Sequence, residues 1–248
     1  MGYTHYYKTE KRLNKEQFSK VVEDFKKCVP YLERLGVTLA GPMGKGKPKI
    51  TENLIAFNGV EKCGHTQRDL GITWPADNAR GIGVAYEEEK FEQDSEKKLE
   101  GITGKDGTMT VLCGNPIEWI KSTDVKGTWF AGAKLSTRTC GGNCSHESFV
   151  LNVKMRRSNP IEEIAYYKAD GTPVKNNPKE VGKYFNFTKT AYKPYDLAVN
   201  VALIIAKHHL KDQIIVSSDG KQKDWIEGMF ICNTIMGYGK EFNIKEGD

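Results

Sequence analysis

The sequence predicts an α+β fold: a mixed or antiparallel sheet, a buried C-terminal helix and two further helices, with a β-rich insertion in the middle. Three observations lead there. A run behind Asn14 keeps one apolar face at helical spacing, a run behind Pro194 is apolar all round, and short alternating aromatic stretches lie near both ends. The last third orders strand, helix, strand, helix, which gives an α/β or α+β core, and α+β is the class taken forward.

Residues 3–7, rich in tyrosine, read as a short strand. Asn14 is a good N-cap with Gln17 three positions on, and Phe18, Val21, Val22, Phe25, Cys28, Leu32 and Leu35 line one face of the helix that follows. Gly36 ends it. Pro30, which has no N–H to donate, is expected to kink or split it. Residues 37–40 read as a brief strand running into a glycine-rich loop at 41–48, and 54–59 as a strand plus turn.

From 61 to 145 glycines, short apolar pieces and a charged patch (87–100) alternate without a helical period, so this stretch reads as an insertion or subdomain. Strands are expected at 109–113 and 128–135, with turns at 105–107 and 141–143. Beyond it, 148–155 and 161–167 read as strands and 169–171 as a turn. A strand at Phe185 and Phe187, a helix over 194–210, a strand over 213–217, a turn at 218–220 and a helix over 225–236 ending at Gly237 complete the chain.

At 248 residues, 38% hydrophobic and 28% charged, the chain has the composition of a globular protein with a real core, and 1–248 reads as one domain. Its formal net charge of +5 is only mildly basic, and lysine greatly outnumbers arginine. Arginine forks suit bidentate recognition of phosphates and bases, so specific nucleic-acid binding is disfavoured. Weak nucleic-acid binding on charge alone is a third functional reading. The longest apolar run, 197–206, is interrupted by Asn200 and too short for a bilayer, and the N-terminus carries no basic segment followed by an apolar one. A cytoplasmic location without membrane attachment is expected, or host cytoplasm or virion for a viral protein. Six cysteines are too sparse for a disulfide scaffold and imply reduced thiols, with a metal site as the exception to test.

Residues 41–47 match the letters G-x-x-x-x-G-K, but Pro48 stands where a phosphate-binding loop needs Ser or Thr for magnesium. The following residues read as loop and strand, so an ordinary loop is favoured. Cys140, Cys144 and His146, with Cys63 and His65, offer candidate zinc ligands at intervals uncommon in zinc fingers. Lys189, Thr190, Lys193, Tyr195 and Asp196 arrive where the apolar helix leaves backbone N–H groups without partners. Helix dipole, free N–H groups and two lysines favour a phosphate or carboxylate there. The alternative is that Pro194 and Asp196 are ordinary first-turn residues and the lysines solvated. Asp219-Gly220 reads first as a turn.

Met1-Gly2-Tyr3-Thr4-His5-Tyr6-Tyr7, Ile55-Ala56-Phe57-Asn58-Gly59, Glu147-Ser148-Phe149, the run from Phe187 to Asp196, and Ser218-Asp219-Gly220 with Trp225 together resemble a family of uncharacterised proteins of bacteria, phages and large DNA viruses. Members of that family often begin Met-Gly-Tyr-Thr-His-Tyr-Trp. Tyr7 stands for the expected Trp and Ser148 for a usual Thr, and 61–145 departs from the pattern. The resemblance implies no reaction. It does imply that His5, Asn58, Glu147, Lys189, Tyr195 and Asp196 converge on one site, and that the inserted cysteines belong to this member alone.

The first functional expectation is an intracellular protein, viral by the resemblance, that binds a small phosphorylated ligand or nucleotide and is a candidate hydrolase. Lys189, Thr190 and Lys193 would hold the anion, Tyr3, Tyr6, Asn58 and Tyr195 would stack or hydrogen-bond, and Asp196 would orient. His5 or Glu147 would be the general acid or base. The alternative is a non-enzymatic structural or interaction protein, virion-associated, whose motifs serve the fold.

Overall fold

The computed structural model describes residues 3–34, 37–63, 142–155 and 159–244, together with five short strand segments between 71 and 139. In chain order the elements are β1 (Thr4–Thr9), α1 (Lys15–Arg34), β2 (Leu39–Ala40), β3 (Lys49–Thr51), β4 (Leu54–Gly59), β5 (Gly71–Ile72), β6 (Val84–Ala85), β7 (Glu100–Thr103), β8 (Thr108–Leu112), β9 (Arg138–Thr139), β10 (Phe149–Asn152), β11 (Ile164–Tyr167), β12 (Pro173–Lys175), β13 (Tyr184–Lys189), α2 (Asp196–Leu210), β14 (Ile214–Ser218) and α3 (Ile226–Met236). The fold is α+β as predicted, and every strand pairing among the described residues is antiparallel.

Two sheets carry the architecture. In the first, β1 lies between β13 and β14, with His5 opposite both Thr188 and Ser218. In the second, β4 lies between β10 on one edge and β2 and β3 on the other. The helices pack beside them, α1 and α3 both contacting α2. Phe25 of α1 stacks on Phe57 of β4, Phe57 meets Phe149 of β10, and Phe149 meets Tyr7 of β1. That aromatic chain joins both sheets to one core. Burying each of those side chains stabilises by about 1.5–3 kcal/mol, which outweighs any local preference.

Asn14 caps α1 as expected, its Oδ1 accepting the Gln17 N–H at 3.0 Å. Pro30 does not split the helix, which runs unbroken from Lys15 to Arg34 because fully buried Cys28 and Leu32 anchor the chain on either side. Leu35 and Gly36 lie outside the described residues. The glycine-rich loop turns at Pro42–Gly44, with Met43 and Gly44 at φ 65° and 75°, and runs into β3. No helix follows it, so the phosphate-loop letters carry no such loop. The expected strand at 128–135 and the turn at 105–107 lie outside the described residues, as do Cys113 and Cys140. Among the described residues no helix is long and apolar enough to cross a membrane.

α2 is the centre of the molecule. Its apolar residues from Leu197 to Ala206 are all buried, and so are two polar ones, Asp196 and Asn200, set one turn apart on the same face. A Cβ at Gly228 of α3 would lie 3.1 Å from the Asn200 Cβ, so the missing side chain lets the two helices approach closely. That approach brings Glu227 and Trp225 to the polar face of α2.

Candidate functional site

The β1 register builds the site. Alternation points His5 and Tyr7 into the core and Tyr6 and Lys8 outward. His5 is wholly buried. Its Nε2 lies 2.7 Å from Asp196 Oδ1 at the start of α2, and its Nδ1 lies 3.0 Å from Ser218 Oγ at the end of β14. The serine contact follows from the pairing of His5 with Ser218 across antiparallel strands, which brings side chains face to face. Ser218 Oγ also accepts the Gly220 N–H at 3.0 Å and has Thr4 O as a second acceptor at 3.2 Å.

Asp196 is fixed on several sides. Thr190 Oγ1 donates to Oδ1 at 2.6 Å, and Arg138 Nε donates to Oδ2 at 3.2 Å. Arg138 Nη1 donates to Glu227 Oε2, so one buried guanidinium bridges two buried carboxylates. Burial pushes the Asp196 carboxyl up, but His5, Arg138 and Thr190 outweigh it and hold it below the ordinary carboxylate range. Burial draws the Arg138 guanidinium down, and the Glu227 and Asp196 charges more than restore it. Asp196 and Arg138 are therefore held in their charged forms.

Rings enclose it. Tyr3 and Trp225 meet the His5 ring edge to face at 5.0 and 4.9 Å, Tyr192 meets Tyr3 at 4.7 Å, and the Arg138 guanidinium lies 5.2 Å over Tyr192. Ala191 and Tyr192 both sit at positive φ, 50° and 56°, a conformation costly for residues with a side chain. Burial first, then the Asp196 and Asp224 charges, push the Tyr3 phenol far up, so it stays a neutral donor. The Tyr3 hydroxyl sits over Gly220, where an added Cβ would approach it to 2.0 Å, and beside Ser218 without hydrogen-bonding geometry to it.

Among the described residues, Tyr3 OH, Arg138 Nη2 and Trp225 Nε1 are buried donors with no hydrogen-bond partner. All three belong to this cluster; the buried Thr9 Oγ1 at the far end of β1 is likewise unpartnered. The Asn200 Oδ1 acceptor is also unpartnered, one turn further along α2. Native cores rarely leave such groups unpaired, because each costs about 1–3 kcal/mol.

The other predicted residues form a second cluster. Asn58 Oδ1 accepts the N–H groups of Gly59 (2.8 Å) and His146 (3.1 Å), while Nδ2 donates to His146 O at 2.9 Å and Ser148 Oγ at 3.3 Å. Glu147 Oε2 accepts the Lys189 N–H at 2.8 Å, and Tyr195 OH donates to Glu147 O at 2.6 Å. This group ties the 144–148 segment to β4 on one side and to the end of β13 on the other. Apart from the Asn58–Ser148 contact its hydrogen bonds run to backbone, so Asn58, Glu147 and Tyr195 clamp the fold.

Three expectations change in consequence. The helix N-terminus is not free: Asp196 N–H donates to Lys193 O and Leu197 N–H to Pro194 O, and a carboxylate already occupies the first turn. Lys189 pairs with Thr4 in register and alternates to the face opposite Thr188 and His5, while Tyr6 donates outward to Asp219 Oδ1 at 2.8 Å. The donors shown around His5 are thus Tyr3, Arg138 and Trp225, and Lys189 is not among them. Among the described residues no three Cys, His, Asp or Glu side chains gather to hold a metal. Cys144 is buried, and His146 Nδ1 donates to Lys189 O at 2.8 Å.

Sequence reasoning passed over Ser218, Arg138 and Glu227 as site residues. Asp196 and Asn200 one turn apart on an apolar helix, and Glu227 opening another, were the available signals. Comparisons with family models, with curated proteins and with solved structures find no match.

Proposed function

We propose that the protein binds a small phosphorylated ligand or nucleotide at the buried cluster around His5. One observation carries this: Tyr3 OH, Arg138 Nη2 and Trp225 Nε1 are all donors, all buried and all lacking an acceptor among the described residues. What would complete them is an acceptor-rich group, and an oxyanion supplies several acceptor atoms at once. The strained Ala191–Tyr192 turn supports the same reading, since backbone strain gathers at ligand sites.

Titration calorimetry and thermal shift with inorganic phosphate and with adenosine monophosphate, against adenosine, test it. Saturable binding that needs the phosphate is expected. Tyr3→Phe removes one unpartnered donor: binding weakens about 10-fold or more, while the unliganded protein keeps or gains stability. Absence of saturable binding by both phosphate compounds overturns the proposal.

A second reading, a non-enzymatic interaction protein, has its own observation. Phe187 is 54% and Phe185 44% exposed, and with Tyr6 they line the outer face of the first sheet. Changing Phe185 and Phe187 to Ser together and measuring sedimentation tests whether that face holds a partner copy.

A further inference from the structure

The geometry points to covalent chemistry at this site: Ser218 is the nucleophile, His5 its general base and Asp196 the group that orients His5, so a bound phosphoester is hydrolysed through a phosphoserine. The inference rests on the phosphate-binding reading above and adds the reaction.

Three features carry it. First, the relay is continuous. With the Nε2 proton donated to Asp196 Oδ1 at 2.7 Å, His5 Nδ1 is an acceptor 3.0 Å from Ser218 Oγ. Both distances suit a nucleophile, a base and an orienting carboxylate. Second, burial grades along it. Asp196 and His5 are wholly buried, whereas Ser218 is only partly so, leaving the nucleophile reachable and the base shielded. Third, the base cannot turn. Tyr3 and Trp225 hold the imidazole from two sides, and Thr190 and Arg138 hold the carboxylate behind it. A serine that only capped the strand end would be satisfied by Gly220 N–H and Thr4 O, with no need of an ionised carboxylate behind its histidine.

The reaction balances with water as the only co-reactant. Ser218 Oγ bonds to phosphorus as the bond to the leaving oxygen breaks. The hydroxyl proton passes to His5 Nδ1 and then to the departing alkoxide. Water then bonds to phosphorus, its proton passes through His5 to Ser218 Oγ, and phosphate is released with the serine restored. The unpartnered Tyr3 phenol beside Ser218 is the donor placed to meet the charge that develops.

Diisopropyl fluorophosphate tests the nucleophile without requiring the natural leaving group, because fluoride departs with the proton that His5 collects. Intact mass and peptide mapping of the full chain are expected to find one adduct, on Ser218. His5→Gln slows labelling about 100-fold or more, the scale of general-base assistance. The adduct is read on the unmodified protein, so this part of the test needs no variant to fold. Cleavage of p-nitrophenyl phosphate, lost in Ser218→Ala, completes the expected result. No adduct on Ser218 with phosphate binding intact overturns the covalent step and leaves a binding protein. Loss of both overturns the two readings together. An adduct with cleavage of p-nitrophenyl acetate, but not of the phosphate, overturns the phosphoester assignment.

Discussion

Two polar clusters meet at the end of β13, divided by a single peptide bond: Lys189 belongs to one and Thr190 to the other. The cluster of Asn58, Glu147 and Tyr195 spends its side chains mainly on backbone, and among the described residues none of its buried polar side-chain atoms lacks a partner. The cluster of His5, Arg138, Asp196, Ser218 and Glu227 bonds side chain to side chain, buries full charges and is bordered by unpaired donors. The first reads as a finished joint. In the second, the fold bears desolvation and strain that a clamp would not need.

The largest test of that difference is Arg138→Met. It leaves the buried Asp196 and Glu227 carboxylates without the guanidinium they share, and breaking such a pairing costs about 3–5 kcal/mol. Urea unfolding followed by circular dichroism measures it. A loss under about 1 kcal/mol would mean that the guanidinium is not the counter-charge of both carboxylates, and the contrast between the clusters would fail.

Acid unfolding sharpens the same contrast with a smaller effect. The Asp196 carboxyl is held below its ordinary value of 3.8, so the unfolded chain binds its proton more readily than the folded one. Its contribution is therefore complete above pH 3.8 and is lost as the pH falls from there through the lowered value. Urea midpoints taken between pH 7 and pH 2 should fall along that limb, and Asp196→Asn should flatten it. An unchanged limb in the variant would show that Asp196 is not held ionised by its neighbours.

How far the sequence reveals this depends on the range of the interactions. α1, α2 and α3 are legible because apolar periodicity and caps are local, and Gly237 at φ 77° ends α3 as a C-terminal glycine should. The continuity of α1 through Pro30 was hidden because tertiary burial overrides a local breaker. The motifs holding His5, Asn58, Glu147 and Asp196 are visible in sequence, yet their division into two clusters is not. It depends on strand parity, which puts Lys189 opposite Thr4 rather than beside His5. Ser218 needs the β1–β14 register, and Arg138 comes from a stretch without periodic signal, so no local pattern points to either.

Tyr195→Phe is the gentlest test and separates the clusters at adjacent residues. The Tyr195 hydroxyl donates to Glu147 O at 2.6 Å and lies 3.3 Å from Lys189 O, so its removal takes one good hydrogen bond from the joint and leaves the ring packed. A loss of about 1 kcal/mol is expected. Phosphate binding and Ser218 labelling should not change, although Asp196 is the next residue, because the Tyr195 hydroxyl touches only the backbone of the joint while Asp196 points to His5. The urea midpoint and the labelling rate of the one variant decide it. If labelling slowed about 10-fold while the midpoint held, the joint would be part of the reactive site, and the two clusters would have to be read as one.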